Sequence, residues 1–379
     1  MESETSVVTI VALVILLVYL FIIMRLTYGW LKLKHTKPSD IQPSTTVSII
    51  IPARNEESVI GQCLTGLLAQ EFPGGLLEIL VVDDHSGDRT LEIARELSEK
   101  SRKIRITVLS LTGSSGKKAA LNFAMKFAGG SFILCTDADC SHSKTWVGSM
   151  VNCFETSNSV FNSGPVLLKP ERGFFGLFQE VEFMSLVASG AGAIGAHSPV
   201  MCNGANLGFS AEAWRSLNSD AMKSTIASGD DVFLMLAMKK EFGAKRIAFV
   251  KDVQAMVYAE TAGSPIAFIG QRLRWVSKSH AYRDPFLVLT AISVFLMNAG
   301  IVATALAGIF TEEFLYLSMG LMLLKMAIDF PLLFSFSQFA GKRHYAWFFP
   351  IAQPLVAILT TFTAIAGNLV KVSWKGRKI

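Results

Sequence analysis

Val7 to Met24 runs for 18 residues without a charge, and no other feature restricts the fold so strongly. At about 1.5 Å per residue, such a helix nearly crosses a hydrocarbon core of about 30 Å. Glu2 and Glu4 precede it; Arg25, Lys32, Lys34 and Lys37 follow. A secretory signal would start basic and end in a small-residue cleavage site, and this segment has neither. It reads as an anchor, and the positive residues behind it put the following chain in the cytoplasm.

Three more apolar stretches close the chain. Phe286–Phe310 has 25 uncharged residues, Trp347–Val370 has 24, and Phe314–Ala340 is apolar except for Lys325 and Asp329. Those two lie four apart on one helical face. A charge in lipid is costly, so they are expected to pair, with contact to an acceptor headgroup or pyrophosphate as the alternative. Three spans after a cytoplasmic domain leave the tail outside, yet Lys371, Lys375, Arg377 and Lys378 favour the inside. Either one stretch fails to span or the charge rule loses here. Pro350 and Pro354 make the last stretch the suspect, because they are expected to break it.

Hydrophobic residues make up 51% of the 379 and charged ones only 17%, against about 25% charged in a soluble domain. That excludes disorder and a purely soluble protein. The net charge of +5 gathers beside the apolar segments, which suits a membrane flank better than a nucleic-acid footprint. Cys63, Cys135, Cys140, Cys153 and Cys202 form no CxxC pair and have no His at zinc spacing, so they read as reduced, buried thiols.

Between the apolar ends the texture is that of a soluble domain. Strands are expected at Val47–Ile51, Glu78–Val82, Arg105–Leu109 and Ser131–Thr136. Helices are expected at Glu57–Gln70, Thr90–Lys100 and Lys118–Ala128. The alternation implies right-handed crossovers and a mostly parallel sheet. Ligands of such sheets bind beyond the carboxyl ends of the strands. There the sequence reads Pro52-Ala53-Arg54-Asn55-Glu56, Asp83-Asp84-His85-Ser86 and Asp137-Ala138-Asp139.

Asp137 and Asp139, two apart at a strand end, share one face. Their oxygens suit a hard divalent cation, Mg²⁺ or Mn²⁺, able to bridge diphosphate oxygens. Gly113-Ser114-Ser115-Gly116-Lys117-Lys118 leads into a helix and makes an anion site, without the spacing of a P-loop. Asp230 and Asp231 precede a helical run, Val232–Lys240, and read either as helix caps or as a general base. Gln271-Arg272-Leu273-Arg274-Trp275 sits just before the second apolar stretch. With Lys278 and Arg283 it is a membrane-surface segment that also offers Arg to pyrophosphate and Trp as a wall for a sugar or lipid head.

In order and spacing these motifs resemble the membrane-bound family 2 glycosyltransferases of GT-A fold, over roughly residues 45–284. Gln271, Arg274 and Trp275 are similar to the QxxRW element of cellulose, chitin and hyaluronan synthases and of ceramide glucosyltransferase. The resemblance implies an α/β GT-A domain at 45–263, following an anchor and linker at 1–44. An interfacial QxxRW segment follows at 264–284, and a membrane region with a basic tail at 285–379. It implies that Glu56 and Asp84 hold the nucleoside, with Pro52 and Arg54 lining that pocket. Lys117 approaches the diphosphate, Asp139 binds the metal, and Asp137 contacts ribose or donor sugar. Asp231 matches the catalytic base; Asp230 stands where the family has Glu, a shorter side chain at the acceptor edge. Asn203-Gly204-Ala205-Asn206 is expected to turn beside the donor sugar. Gly173–Ala196 is expected either to pack on the sheet or to face the bilayer near the acceptor.

The implied activity is inverting transfer of one sugar at a time from a nucleotide-sugar, with UDP favoured, to a lipid-linked or other membrane-embedded acceptor. The expected setting is a bacterial inner membrane, and cell-envelope glycan or glycolipid synthesis the expected role. A processive polysaccharide synthase, a polyprenyl-phosphate sugar transferase and a nucleotide-sensing receptor are the alternatives. No nucleic-acid partner is expected.

Overall fold

The computed structural model describes residues 2–36, 43–217, 230–367, 369, 373–374 and 377–378. In chain order the elements are α1 (Glu2–Lys32), β1 (Val47–Ala53), α2 (Ile60–Leu68), β2 (Leu77–Asp83), α3 (Thr90–Lys100), β3 (Arg105–Ser110), α4 (Lys117–Ala124), β4 (Phe132–Cys135), β5 (Ser141–His142) and α5 (Trp146–Ser157). Then come β6 (Phe161–Ser163), β7 (Val166–Leu168), α6 (Phe174–Gly195), β8 (Leu207–Ser210), α7 (Ala211–Ser216), α8 (Asp230–Phe242), β9 (Ile247–Phe249) and β10 (Val257–Ala259). Four helices follow: α9 (Pro265–Val276), α10 (Pro285–Ala307), α11 (Glu312–Phe339) and α12 (Tyr345–Ala366). They form two compact units. One is Leu33–Lys169 with Met201–Glu260; the other is Met1–Lys32, Pro170–Val200 and Thr261–Ile379.

The first unit is built on a sheet of order β3-β2-β1-β4-β8-β6-β9. β1 pairs in parallel with β2 and β4, and β2 with β3. Val47, Ile49, Ile50 and Ile51 are fully buried, as expected of a central strand covered on both faces. The chain moves outward through β2 and β3, then returns to place β4 on the other side of β1. That reversal opens a crevice at the carboxyl ends of β1 and β4, where Pro52 and Asp137 follow their strands.

Helix α2 begins at Ile60, three residues later than its apolar period predicts. Residues 57–59 form a turn that leads into it. Glu56 N donates to Thr90 Oγ1 at 2.7 Å, and Glu57 N to Asp88 Oδ2 at 3.1 Å. These bonds tie the entry of α2 to the loop before α3. Strands β6 to β10 and the small β5-β10-β7 sheet are additions to the sequence reading.

In the second unit four helices are long and apolar enough to cross a membrane: Val7–Lys32, Pro285–Ala307, Glu312–Phe339 and Tyr345–Ala366. On α1, Val7, Ile10, Val14, Leu17, Phe21 and Met24 are exposed, while Tyr19, Ile22, Ile23, Leu26 and Trp30 are buried. The buried side packs on α6 and α11. At the α1–α6 crossing a Cβ on Gly29 would lie 2.1 Å from the Gly192 carbonyl oxygen, and one on Gly192 2.3 Å from that of Leu26. Only glycine lets the two backbones approach this closely. Helix α6 therefore packs against apolar helices.

The last stretch corrects an expectation. Pro350 and Pro354 lie inside an unbroken α12. Both prolines lie on its exposed side, and a long apolar helix can run through proline where local adjustment re-satisfies the freed carbonyls. The expected Lys325–Asp329 pair is present, with Nζ to Oδ2 at 2.8 Å. Lys325 also donates to Gln353 Oε1 at 2.5 Å, and the Tyr19 hydroxyl donates to Asp329 Oδ1 at 2.6 Å. At 2% exposure Lys325 is closed to a headgroup. The basic side chains of the tail and residues 38–42 of the linker lie outside the described residues.

Candidate active site

Loop geometry at the carboxyl edge gathers most of the predicted residues. Asp84, buried just beyond β2, accepts the Gly116 amide at 2.9 Å on Oδ2, with Arg54 Nη1 at 4.0 Å from the same oxygen. The His85 ring lies 3.0 Å from its other oxygen. Asp84 thus ties the β1 and β2 loops to the start of α4. Gly116, at φ +99°, supplies a backbone angle that a side chain resists, so that α4 can begin at Lys117.

Lys117 reaches from that helix start into the crevice. Its Nζ lies 2.5 Å from Asp137 Oδ1 and 3.3 Å from the Gly204 carbonyl oxygen. Burial would lower its pKa, but the Asp137 and Asp231 carboxylates outweigh it and hold the ammonium charged. Pro52, Lys117, Gly204 and Asp231 face one pocket, with Leu121, Leu207 and Leu234 as its apolar wall. Asp231 sits in the first turn of α8. Its Oδ2 accepts the Gly204 amide and its Oδ1 the Val232 amide, both at 2.9 Å. The two readings of Asp231 merge here: the carboxylate is held at a helix start and faces the pocket. The side chain of Asp230 lies outside the described residues.

Asp139 carries the second acidic focus. Burial, with Asp137 and Glu56 nearby, pushes its carboxyl up to about 6. A divalent cation relieves that crowding, and carboxylate oxygens are its preferred ligands, so the residues fit one. Among the described residues no group of three or more His, Cys, Asp or Glu is arranged to hold a metal. A cation held by Asp139 would therefore depend on oxygens of substrate or water.

The Asn203–Asn206 turn forms, closed by Asn206 N to the Asn203 carbonyl at 3.1 Å. Its last residue faces inward. Asn206 is fully buried and donates to the carbonyls of Pro165 and Ala255 at 2.8 and 2.7 Å. It also accepts from the Trp146 indole at 3.0 Å. Asn206 clamps the turn, and Gly204 supplies the surface to the pocket. A Cβ on Gly204 would lie 2.7 Å from Lys117 Nζ, a constraint that one glycine in a loop does not advertise. The five cysteines are free thiols; burial pushes Cys63 and Cys135 up to about 12, which leaves them unreactive.

Gln271, Arg274 and Trp275 belong to α9 in the helical unit. Gln271 Oε1 accepts from Arg272 Nη1 at 2.5 Å, and the Trp275 ring lies 6.3 Å from that of Phe183. Sequence reasoning passed over Arg272 itself. It is buried and grips Glu182 through two guanidinium nitrogens, Nε and Nη2.

A mostly parallel sheet with the acidic residues at its carboxyl edge defines the GT-A class of nucleotide-diphospho-sugar transferase folds. Mannosyltransferase PcManGT from Pyrobaculum calidifontis, solved in complex with GDP-Man and Mn²⁺, has the same fold. The match has a TM-score of 0.56 at 19% identity and covers 94% of this chain and 98% of that one. Residues 48–184 match the model for glycosyl transferase family 2. Beta-monoglucosyldiacylglycerol synthase of Trichormus variabilis is 37% identical over 93 residues, 24% of this chain and 20% of that protein. Probable glycosyltransferase YdaM of Bacillus subtilis is 42% identical over 94 residues, 24% of this chain and 22% of that protein. The chain thus spans about a fifth of the length of these two curated relatives.

Proposed function

We propose that the protein is an inverting glycosyltransferase. It moves one sugar at a time from a nucleotide-diphospho-sugar to a lipid-linked or membrane-embedded acceptor, at the cytoplasmic side of a membrane that its four apolar helices cross. The observation that carries this reading is the pairing across Gly204. A charged lysine meets the carbonyl and a carboxylate the amide of one residue, inside one pocket. Displacement at an anomeric carbon needs those two groups: positive charge for the departing diphosphate and a base for the incoming hydroxyl.

In this mechanism Asp231 takes the proton of the acceptor hydroxyl. The oxygen attacks the anomeric carbon from the face opposite the diphosphate, and the sugar–phosphate bond breaks. Lys117 offsets charge on the departing group, while Asp84, Glu56, Pro52 and Arg54 hold the nucleoside. Asp139 would hold a divalent cation, which would supply charge neutralisation at the diphosphate, and Asp137 lies beside the ribose or donor sugar. Asp230, Gln271, Arg274 and Trp275 serve substrate binding. A relative named beta-monoglucosyldiacylglycerol synthase supports a lipid acceptor, while the preference for a UDP-sugar donor rests on the resemblance of the motifs.

Detergent-purified protein with Mn²⁺ is incubated with UDP- and GDP-sugars and diacylglycerol-containing lipid extract. Nucleoside diphosphate release with a single-hexose mass gain on a lipid is the expected result. A ladder of additions would instead indicate a processive synthase, and no release with any donor would overturn the reading.

A further inference from the structure

Within four residues helix α6 carries three polar groups that an apolar helix has no reason to bury. Gln179, Glu180 and Glu182 are 1%, 5% and 8% exposed. Two of them hold α9 and the segment leading into it. Gln179 Oε1 accepts the Ala262 amide at 2.9 Å and its Nε2 donates to the Ala262 carbonyl at 3.2 Å. Three residues on, Glu182 accepts from Arg272 Nε at 2.9 Å and from Nη2. The remaining Arg272 nitrogen, Nη1, donates to Gln271 Oε1 at 2.5 Å. The guanidinium carbon lies 4.3 Å from the ring centroids of both Phe268 and Trp275. One buried cation therefore touches both ends of the Gln271–Trp275 element.

We propose that Glu182 and Arg272 are a positioning pair for that element, an inference that rests on its reading as part of the substrate site. Arginine is a donor only, so the Gln271 side chain turns its oxygen to Arg272 and keeps its two amide N–H donors for substrate. Trp275 is fixed by the same guanidinium on its face. Stability alone does not explain the arrangement. A buried ion pair is often matched or bettered by apolar residues of similar volume, whereas orientation is lost with it.

Full-length protein in detergent is assayed for nucleoside diphosphate release from UDP-glucose and GDP-mannose with Mn²⁺, and its melting midpoint is followed alongside. Gln271→Ala is the benchmark and lowers kcat. The double variant Glu182→Leu with Arg272→Met keeps or raises the midpoint yet loses kcat by about tenfold or more, as misplaced binding groups do. Adding Gln271→Ala to that variant costs less than the product of the separate losses, because Arg272 acts through Gln271. Wild-type kcat in the double variant beside a deficient Gln271→Ala overturns the positioning role alone. A kcat loss that appears only with a fallen midpoint, or fully multiplicative losses, also overturns it. Normal turnover in Gln271→Ala withdraws the reading of the element itself, and the pair's role with it.

Discussion

The Gly204 amide donates to Asp231 Oδ2 at 2.9 Å, and the Gly204 carbonyl accepts from Lys117 Nζ at 3.3 Å. One peptide segment thus spaces the proposed base from the proposed leaving-group cation. Asp231→Asn keeps the shape and one acceptor oxygen but removes the base. Transfer should fall by about 10²- to 10⁴-fold. Nucleotide affinity, measured by calorimetry with UDP and GDP, should stay near wild type. Near-normal turnover would sink the assignment of Asp231.

Gly204→Ala tests the spacing. The new methyl would lie 2.7 Å from Lys117 Nζ and 3.3 Å from Asp231 Oδ2. Lys117 is the movable partner, so the methyl should displace the ammonium from Asp137 and leave the fold intact. We expect turnover to drop by about 10- to 100-fold with little change in melting midpoint. Unchanged kcat would mean that Lys117 works from elsewhere.

Asp139→Ala should weaken donor binding in Mn²⁺ and leave the weaker binding in chelator unchanged. Titrating UDP with and without EDTA separates the two. Equal Mn²⁺ dependence in the variant and the wild type would move the cation off Asp139.

His142 gives the sheet unit an acid-sensitive point. Burial lowers its pKa from 6.5 to about 3. The Thr136 hydroxyl donates to the Ala205 carbonyl at 2.9 Å, so the His142 Nε2 at 2.8 Å must be its donor, and the ring is held neutral. The unfolded chain binds a proton below pH about 6.5 that the folded chain refuses. This contribution is complete above that value and is lost as the pH falls toward 3. Melting midpoints measured from pH 7 to pH 4 should fall, and less steeply in His142→Gln. Parallel slopes would show that other groups set the acid limit.

Gly29→Leu addresses the helical unit. Its side chain meets the Gly192 carbonyl and Ala196 at the α1–α6 crossing. Overpacking there should cost about 1–3 kcal/mol and lower the melting midpoint in detergent. A midpoint at the wild-type value would mean that the crossing can open without loss.

What the sequence revealed follows from what its signals encode. Asp84, Lys117 and Asp137 were legible because strand ends and helix starts are written in apolar periodicity, and the sheet brings those ends to one edge. The Asn203–Asn206 turn was legible as well, but not the part of Gly204 in bridging Lys117 and Asp231, since loop spacing has no period. Strands β6 to β10 were missed because runs of three or four residues are too short to show alternation. Arg272 and Glu182 stayed hidden for a different reason. Arg272 was read only as one of the basic residues of the Gln271–Trp275 segment and Glu182 not at all, and only their side-chain geometry shows them paired. The prolines of α12 misled because their cost was judged for a helix in water.

Tyr19, Lys325, Asp329 and Gln353 lie far apart in the order of synthesis. On α11 the lysine and aspartate are adjacent as soon as the helix forms, nearly neutral as a pair. The lysine gains its second hydrogen bond only when α12 delivers Gln353, and the aspartate its second only when α1 turns Tyr19 inward. The cluster therefore closes only once α12, the last made of these three helices, has packed. A nascent chain stopped before Gln353 would present an incompletely solvated ammonium to lipid, a ready mark for membrane quality control.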